Sequence, residues 1–376
     1  MSTNNNKKIV CYFGSWSVYR PGNGHFDISY IDPTLCTHLI YAFAGLNEDG
    51  TVKVLDPWQD LPDNGGKDGY GRFNALREKS PLTKIMISMG GWNEGSSKYS
   101  RVMNDPVTRL KFVDNVVEFV KKYKFDGFDL DWEYPAKRGG HPEDVKNLVL
   151  VLKDLKKRFE KENLILSIAV GAAEATASVS YDISNLSKYV DFINLMTYDF
   201  HGSFDSDHKV GHHAPLYPAS NETGLKRQMN IDSAVKYWLS QGAPAEKLIL
   251  GTGFYGRTFT LENSANHEIG APFTGPGTAG PYTREAGILG FNEIGEMQKQ
   301  KTWKLGFNQE QKVPYAYLNN QWVGYDNCNS LTEKAEYAKK MGLGGVMIWS
   351  IETDDFKGIC RGKYPLLNSL NKSLHN

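Results

Sequence analysis

The 376-residue chain has no apolar run long enough to cross a bilayer, no net charge, four cysteines, and no internal repeat or low-complexity tract. Each absence excludes something. A membrane-spanning helix needs about 20 consecutive apolar residues, so none is expected. With 43 Lys plus Arg against 43 Asp plus Glu, the chain lacks the basic footprint that grips a phosphate backbone, and nucleic acid is not an expected partner. The missing repeat excludes a solenoid. The N-terminal Met1–Lys8 segment is polar and runs straight into Ile9-Val10-Cys11-Tyr12, without the apolar core of a signal peptide. Four cysteines do not settle the redox compartment. Sequons at Asn185, Asn221 and Asn371 permit secretion without requiring it.

What is present is the pattern of an α/β protein. Apolar residues make up 40% of the chain and charged residues 23%, ordinary for a globular fold. Short β-branched and aromatic runs recur at Ile9–Phe13, His38–Phe43, Lys84–Met89, Phe125–Trp132, Leu164–Val170, Phe192–Tyr198, Leu248–Gly253 and Gly345–Trp349. Several are almost continuously apolar, as parallel strands covered on both faces must be. Helical periodicity fills intervals between them. In Asp105–Tyr123 the apolar stripe is Leu110, Val113, Val116, Val117 and Val120; Glu143–Glu162, Asp232–Gln241 and Ser330–Met341 are further predicted helices. Eight such strands predict a (β/α)8 TIM barrel. After the seventh strand one helix would suffice, yet a long Gly-, Pro- and aromatic-rich stretch follows. Residues 259–322 are therefore assigned to a small α+β insertion subdomain, and residues 1–258 and 323–376 to the barrel.

The most informative stretch is Asp126-Gly127-Phe128-Asp129-Leu130-Asp131-Trp132-Glu133. Strand alternation sends Asp129, Asp131 and Glu133 to one face and Phe128, Leu130 and Trp132 to the other. Three acids on the inner face of a barrel strand repel one another if all are ionised, so at least one is expected to be protonated near neutral pH. A solvated edge strand does not fit, because the alternate face is too apolar. Acids converging on the C-terminal end of a barrel strand point to catalysis. Glu133, nearest the barrel mouth, is the expected general acid, its pKa raised by burial and by Asp131.

This run resembles the D-x-x-D-x-D-x-E signature of glycoside hydrolase family 18, the chitinases, at every fixed position. Ser88–Asn93, Met196–Gly202, Tyr255-Gly256-Arg257 and Trp349–Phe356 are similar to other motifs of that family, and Val54–Trp58 with Gly66–Tyr70 resemble its insect-type members. The resemblance covers nearly the whole chain and includes an insertion after strand seven. It implies an endo-acting hydrolase of chitin and chitooligosaccharides, monomeric and secreted, with no cofactor and no metal. It also implies substrate assistance: the substrate's acetamido oxygen attacks the anomeric carbon, giving an oxazolinium ion with retention. In that scheme Glu133 protonates the leaving oxygen, Asp131 holds the acetamido N–H, Asp129 shares a proton with Asp131, and Tyr198 donates to the acetamido oxygen. Trp349 would floor the cleft. Met196, Asp199, Tyr255 and Arg257 would line the sugar pocket, and Trp92, Asn93, Tyr12 and Phe43 would extend it.

Cys11 and Cys36, on the first strand and just before the second, come within disulfide range if those strands are neighbours, and the family often carries this bridge. Cys328 and Cys360 leave two alternatives, a bond to each other or two free thiols; the family's usual partner site holds Gly295 here. Gly253 stands where relatives commonly have proline, and Phe204 where they commonly have tryptophan. Gly251–Gly256 fits G-x-G-x-x-G, but Arg257-Thr258-Phe259-Thr260 is no helix start, so a dinucleotide site is not expected. His201, His208, His212 and His213 cluster without metal-ligand spacing and are read as polar loop. The rival readings are a chitinase-like lectin, which would lack the acid, and an endo-β-N-acetylglucosaminidase acting on glycoproteins, which would resemble this chain less around the insertion.

Overall fold

The computed structural model describes residues 7–375. Among these, eight parallel strands form the barrel: β1 (Lys8–Gly14), β2 (His38–Leu46), β3 (Lys84–Gly90), β4 (Gly127–Asp131), β5 (Ile165–Gly171), β6 (Phe192–Met196), β7 (Leu248–Gly253) and β8 (Gly345–Trp349). Each pairs with its sequence neighbours, and the ring closes where β1 pairs with β2 on one side and β8 on the other. This is the predicted (β/α)8 TIM barrel. A short strand, Val52–Val54, runs antiparallel to the end of β2.

The strands sort their side chains into two cores. Val10, Tyr12, Ile40, Ala42, Met86, Phe192, Ile249 and Met347 fill the barrel interior. Phe128, Leu130, Leu166, Ile168, Leu195 and Ile348 face outward and pack under the helices. Each such fully buried side chain contributes about 1.5–3 kcal/mol. The helix Pro106–Lys122 shows how the sequence builds the outer layer. The Asp105 carboxylate accepts from Thr108 N–H, a proline occupies the first turn, and Phe112, Val113, Val116, Val117 and Val120 are buried. Leu110, expected in that stripe, is 53% exposed. Its place falls to Phe112, because the buried face advances with the 3.6-residue turn. The C-terminal helix Pro365–His375, not anticipated, buries Leu366, Leu367, Leu370 and Leu374.

Between β7 and β8 the chain forms a six-stranded, mainly antiparallel sheet. Its strands are Tyr255–Leu261, Phe273–Pro276, Ile288–Gly290, Lys304–Asn308, Val313–Leu318 and Gln321–Gly324, and the helix Phe291–Gln300 lies among them in sequence. Phe259, Leu261, Phe273 and Trp322 give it a separate small core. The chain turns straight from β7 into Tyr255–Leu261, so the Gly251–Gly256 glycines join two strands.

Cys11 and Cys36 form a disulfide with Cα atoms 6.2 Å apart, tying β1 to the approach to β2. Among the described residues, Cys328 and Cys360 carry free thiols. No helix among these residues is long and apolar enough to cross a membrane.

Candidate active site

β4 ends at Asp131, earlier than the sequence pattern indicated, and Glu133 stands just past it. β6 likewise ends at Met196, which places Tyr198 and Asp199 on the loop beyond. The alternation nevertheless holds where it matters. Asp129 and Asp131 turn inward, Phe128 and Leu130 turn out, and Trp132 points away from the axis and donates its indole N–H to Ser96 Oγ at 2.7 Å.

The three acids occupy three different environments. Asp129 is fully buried and saturated. It accepts from Tyr12 OH at 2.7 Å, Ser88 OH at 2.8 Å, Ser167 OH at 2.6 Å and the Asn194 amide at 3.3 Å. All four donors are neutral. Among the described residues Asp129 makes no hydrogen bond to Asp131. Asp131 lies one turn of the pleat higher, and its Oδ1 is buried without a hydrogen-bond partner among the described residues. Burial pushes its pKa well up, and the charges of Glu133 and Asp129 push it further. Glu133 is raised to about 7, chiefly by burial, with Tyr134 and Arg138 opposing the shift. Titration near neutrality therefore belongs to the Asp131–Glu133 pair rather than to either residue alone.

Asp131 and Glu133 open into one cleft of about 1080 Å³. Asp131, Glu133, Tyr198, Trp349, Trp92, Asn93, Met196, Asp199, Tyr255, Arg257, Tyr12 and Phe43 all line it; Asp129 alone of the expected residues lies beneath its floor. Tyr12 belongs to that floor more than to the walls. It is 2% exposed, and its hydroxyl is committed to Asp129. Trp349 sits among aromatic rings: Phe43 stacks on it with centroids 5.7 Å apart, Tyr12 meets it edge-on at 5.6 Å, and Trp16 lies 6.0 Å away. Such a face suits the C–H surface of a pyranose. Trp92 is 59% exposed at another wall, with the Arg138 guanidinium 3.5 Å above its ring.

Opposite Glu133, the β6 and β7 loops form a polar wall. Asp199 Oδ1 accepts from Tyr255 OH and from Arg257 Nε, both at 2.7 Å. Tyr198 keeps its hydroxyl nearly free, with only Met347 Sδ at 3.8 Å among the described residues. Burial, then the charges of Asp131 and Asp199, push that phenol well above its ordinary pKa, so it stays a donor.

The family model of glycosyl hydrolases family 18 matches residues 8–354. The chain belongs to this family. It is 41% identical to probable chitinase 2 of Drosophila melanogaster, across 94% of this chain and 74% of that protein. The Group IV chitinase of Ostrinia furnacalis superposes with a TM-score of 0.94 at 43% identity, covering 98% of this chain and all of the other. Human YKL-39, described as a pseudo-chitinase with retained chitooligosaccharide binding, superposes at 0.91 with 36% identity over 98% of this chain and 100% of its own. The family membership makes the chain a glycoside hydrolase.

Sequence reasoning passed over several residues of this family 18 cleft. Trp16, 40% exposed just beyond β1, stacks on Phe43; an exposed tryptophan directly after a barrel strand was the available signal. Glu352, fully buried, accepts from Ser350 OH at 2.6 Å and Gly14 N–H at 3.2 Å beneath the Trp349 wall. Tyr282 and Arg284, from the segment between β7 and β8, complete the rim. The histidines act as structural links. His212 Nε2 lies against the Pro314 and Tyr325 carbonyls, His213 Nε2 lies 3.0 Å from Tyr255 O, and His201 pairs with Asp205 at 2.9 Å.

Proposed function

We propose that the protein is a chitinase that hydrolyses β-1,4-N-acetylglucosamine linkages by a retaining, substrate-assisted mechanism. The observation that carries this reading is the unpartnered Asp131 oxygen beside a Glu133 whose pKa is raised to about 7. A buried carboxylate oxygen without a donor is costly. An acetamido N–H delivered by substrate would satisfy it. Tyr198, whose hydroxyl has no strong acceptor, would donate to the acetamido oxygen. Asp199, bonded to Tyr255 and Arg257, would face the sugar with the Met196 side chain beside it.

In the proposed first step the acetamido oxygen forms a bond to C1 as the C1–O glycosidic bond breaks. Glu133 gives its proton to the leaving oxygen. Asp131, as the acceptor of the N–H, stabilises the oxazolinium cation. In the second step the Glu133 carboxylate takes a proton from water, water oxygen bonds to C1, and the oxazolinium ring reopens with net retention. Ordinary retaining enzymes need a second carboxylate about 5–5.5 Å from the acid as nucleophile. Asp129, the remaining strand acid, lies below the floor with four donors, so it is no candidate for that role.

The division into a barrel and a 259–322 insertion belongs to this reading, with the inserted sheet running slightly wider, from Tyr255 to Gly324, and deepening the cleft. So do endo action, action as a monomer, and secretion, which the Cys11–Cys36 bridge favours. A very similar fold serves a protein described as a pseudo-chitinase. The enzymatic reading therefore rests on Glu133 rather than on the aromatic cleft. Product analysis on defined chitooligosaccharides, followed by proton NMR of fresh product, tests it. The β-anomer is expected first. Initial α-anomer would refute substrate assistance, and binding without release would favour a lectin.

A further inference from the structure

We propose that His213 is a positioning residue that locks Asp199 and Tyr255 into register, and that the missing side chain at Gly253 is what admits its ring. The inference rests on reading Asp199 and Tyr255 as sugar-pocket residues. His213 is fully buried, outside the motifs that define the site. Its Nε2 lies 3.0 Å from the carbonyl of Tyr255, which can only accept, so Nε2 carries the proton. Nδ1 is then a lone pair, and it accepts the backbone N–H of Asp199 at 3.4 Å. The Asp199 side chain in turn accepts from Tyr255 OH. These contacts close a ring: Asp199 backbone, His213 imidazole, Tyr255 backbone, Tyr255 phenol, Asp199 carboxylate. The loop after β6 is thereby pinned to the strand after β7 by side chain and main chain at once.

The ring holds a backbone that would not choose this shape unaided. Asp199 has φ of 57°, a left-handed conformation uncommon outside glycine. Burial, and then His212, Lys334 and Arg257, hold His213 neutral against the pull of Asp326, which preserves the Nδ1 acceptor. Gly253 completes the arrangement. Its φ is not in the left-handed region, so the backbone does not demand glycine. Space does. A Cβ there would lie 2.8 Å from Tyr255 Cε1 and 3.0 Å from His213 Cε1. Any larger residue therefore requires the Tyr255 ring to shift and crowds the imidazole beside it.

His213→Ala, Gly253→Ala and the double variant are compared for kcat and KM on chitooligosaccharides, with thermal melts alongside. Each single variant is expected to lose about tenfold or more in kcat/KM, carried mainly by kcat, because misplacement of about 1 Å is that costly. The double variant is expected to be no worse than the poorer single one, since removal of the imidazole relieves part of the crowding that the new Cβ creates. Losses that multiply overturn the coupling, and a His213→Ala enzyme within about twofold of the parent overturns the positioning role. If His213→Ala does not fold, 15N spectra of the histidines in the unmodified protein decide. His213 should remain the neutral Nε2–H tautomer from about pH 5 to about pH 8, and an Nδ1–H tautomer overturns the proposal. If the unmodified protein releases no product, the proposed function fails, while the tautomer measurement still tests the lock.

Discussion

At the end of β4 stand Asp129, Asp131 and Glu133; past the end of β8 stand Glu352, Asp354 and Asp355. Both trios are buried, and burial pushes Asp354 to about 7 just as it does Glu133. What separates them is the supply of donors. Asp354 accepts the N–H groups of Asp355, Leu366 and Leu367, capping the C-terminal helix. Asp355 accepts those of Ile359, Cys360 and Arg361 at 2.7–2.9 Å. Glu352 has Ser350 and Gly14. On β4 only Asp129 is so provided. Asp131 has a bare oxygen, and Glu133 faces the cleft. A buried acid saturated by the chain holds the fold; a buried acid left short is held ready for something outside the chain.

The largest expected effect comes from Glu133→Gln. It keeps shape and removes the proton, and turnover should fall by about a thousandfold or more, with oligosaccharide affinity retained. Full activity in that variant, measured by product release, removes Glu133 from its role. Asp131→Asn should come next. It places an amide where an acceptor is needed, and a fall of roughly 10²–10³ in kcat is expected. Its melting temperature at neutral pH should rise rather than fall, because the burial and neighbouring charges that raise the Asp131 pKa cost the folded parent stability that an uncharged amide escapes.

Asp355→Asn should behave in the opposite sense. The amide cannot accept from three backbone N–H groups, and at least one is left unpaired in a buried site. A loss of about 2 kcal/mol in unfolding free energy is expected, with kcat on oligosaccharides kept within a few-fold because the residue does not line the cleft. Denaturant titration beside steady-state kinetics checks both halves. A variant that keeps its stability and loses its turnover would merge the two trios into one class.

This difference was only half legible in the sequence. The eight apolar runs declared the barrel because parallel strands need burial on both faces. The period-2 acids on β4 marked a candidate site because alternation is a local rule. The donors were not visible, because they come from far along the chain: Ser167 and Asn194 for Asp129, Leu366 and Leu367 for Asp354. Strand ends were overrun at Trp132 and Tyr198 for a related reason. Aromatic β-formers continue the apolar pattern past the last ladder bond, and only the partner strand fixes where pairing stops. The helix Pro365–His375 did carry a signal, a proline in the first turn and leucines at 366, 367, 370 and 374. His213 offered none, since its role depends on a void at Gly253.

The smallest effect sharpens the comparison most, because it should have the opposite sign at the two strands. The folded-state pKa of Glu133 is raised from 4.5 to about 7. A raised carboxyl pKa leaves stability intact below the unfolded value and withdraws it as pH climbs through the folded one. Over this interval the native state binds a proton that the unfolded chain has given up. The wild-type protein is therefore expected to lose roughly 1–3 kcal/mol from the Asp131–Glu133 pair between about pH 4.5 and about pH 8. Glu133→Gln leaves one ionisable member in the pair and escapes its own share of that loss. Its melting temperature should exceed the parent's at about pH 8 and converge with it below about pH 4.5, whereas Asp355→Asn should melt lower than the parent throughout the neutral range. Parallel stability curves for Glu133→Gln and the parent would mean that the site carries no strain from its acid, and that a missing donor is no guide to function here.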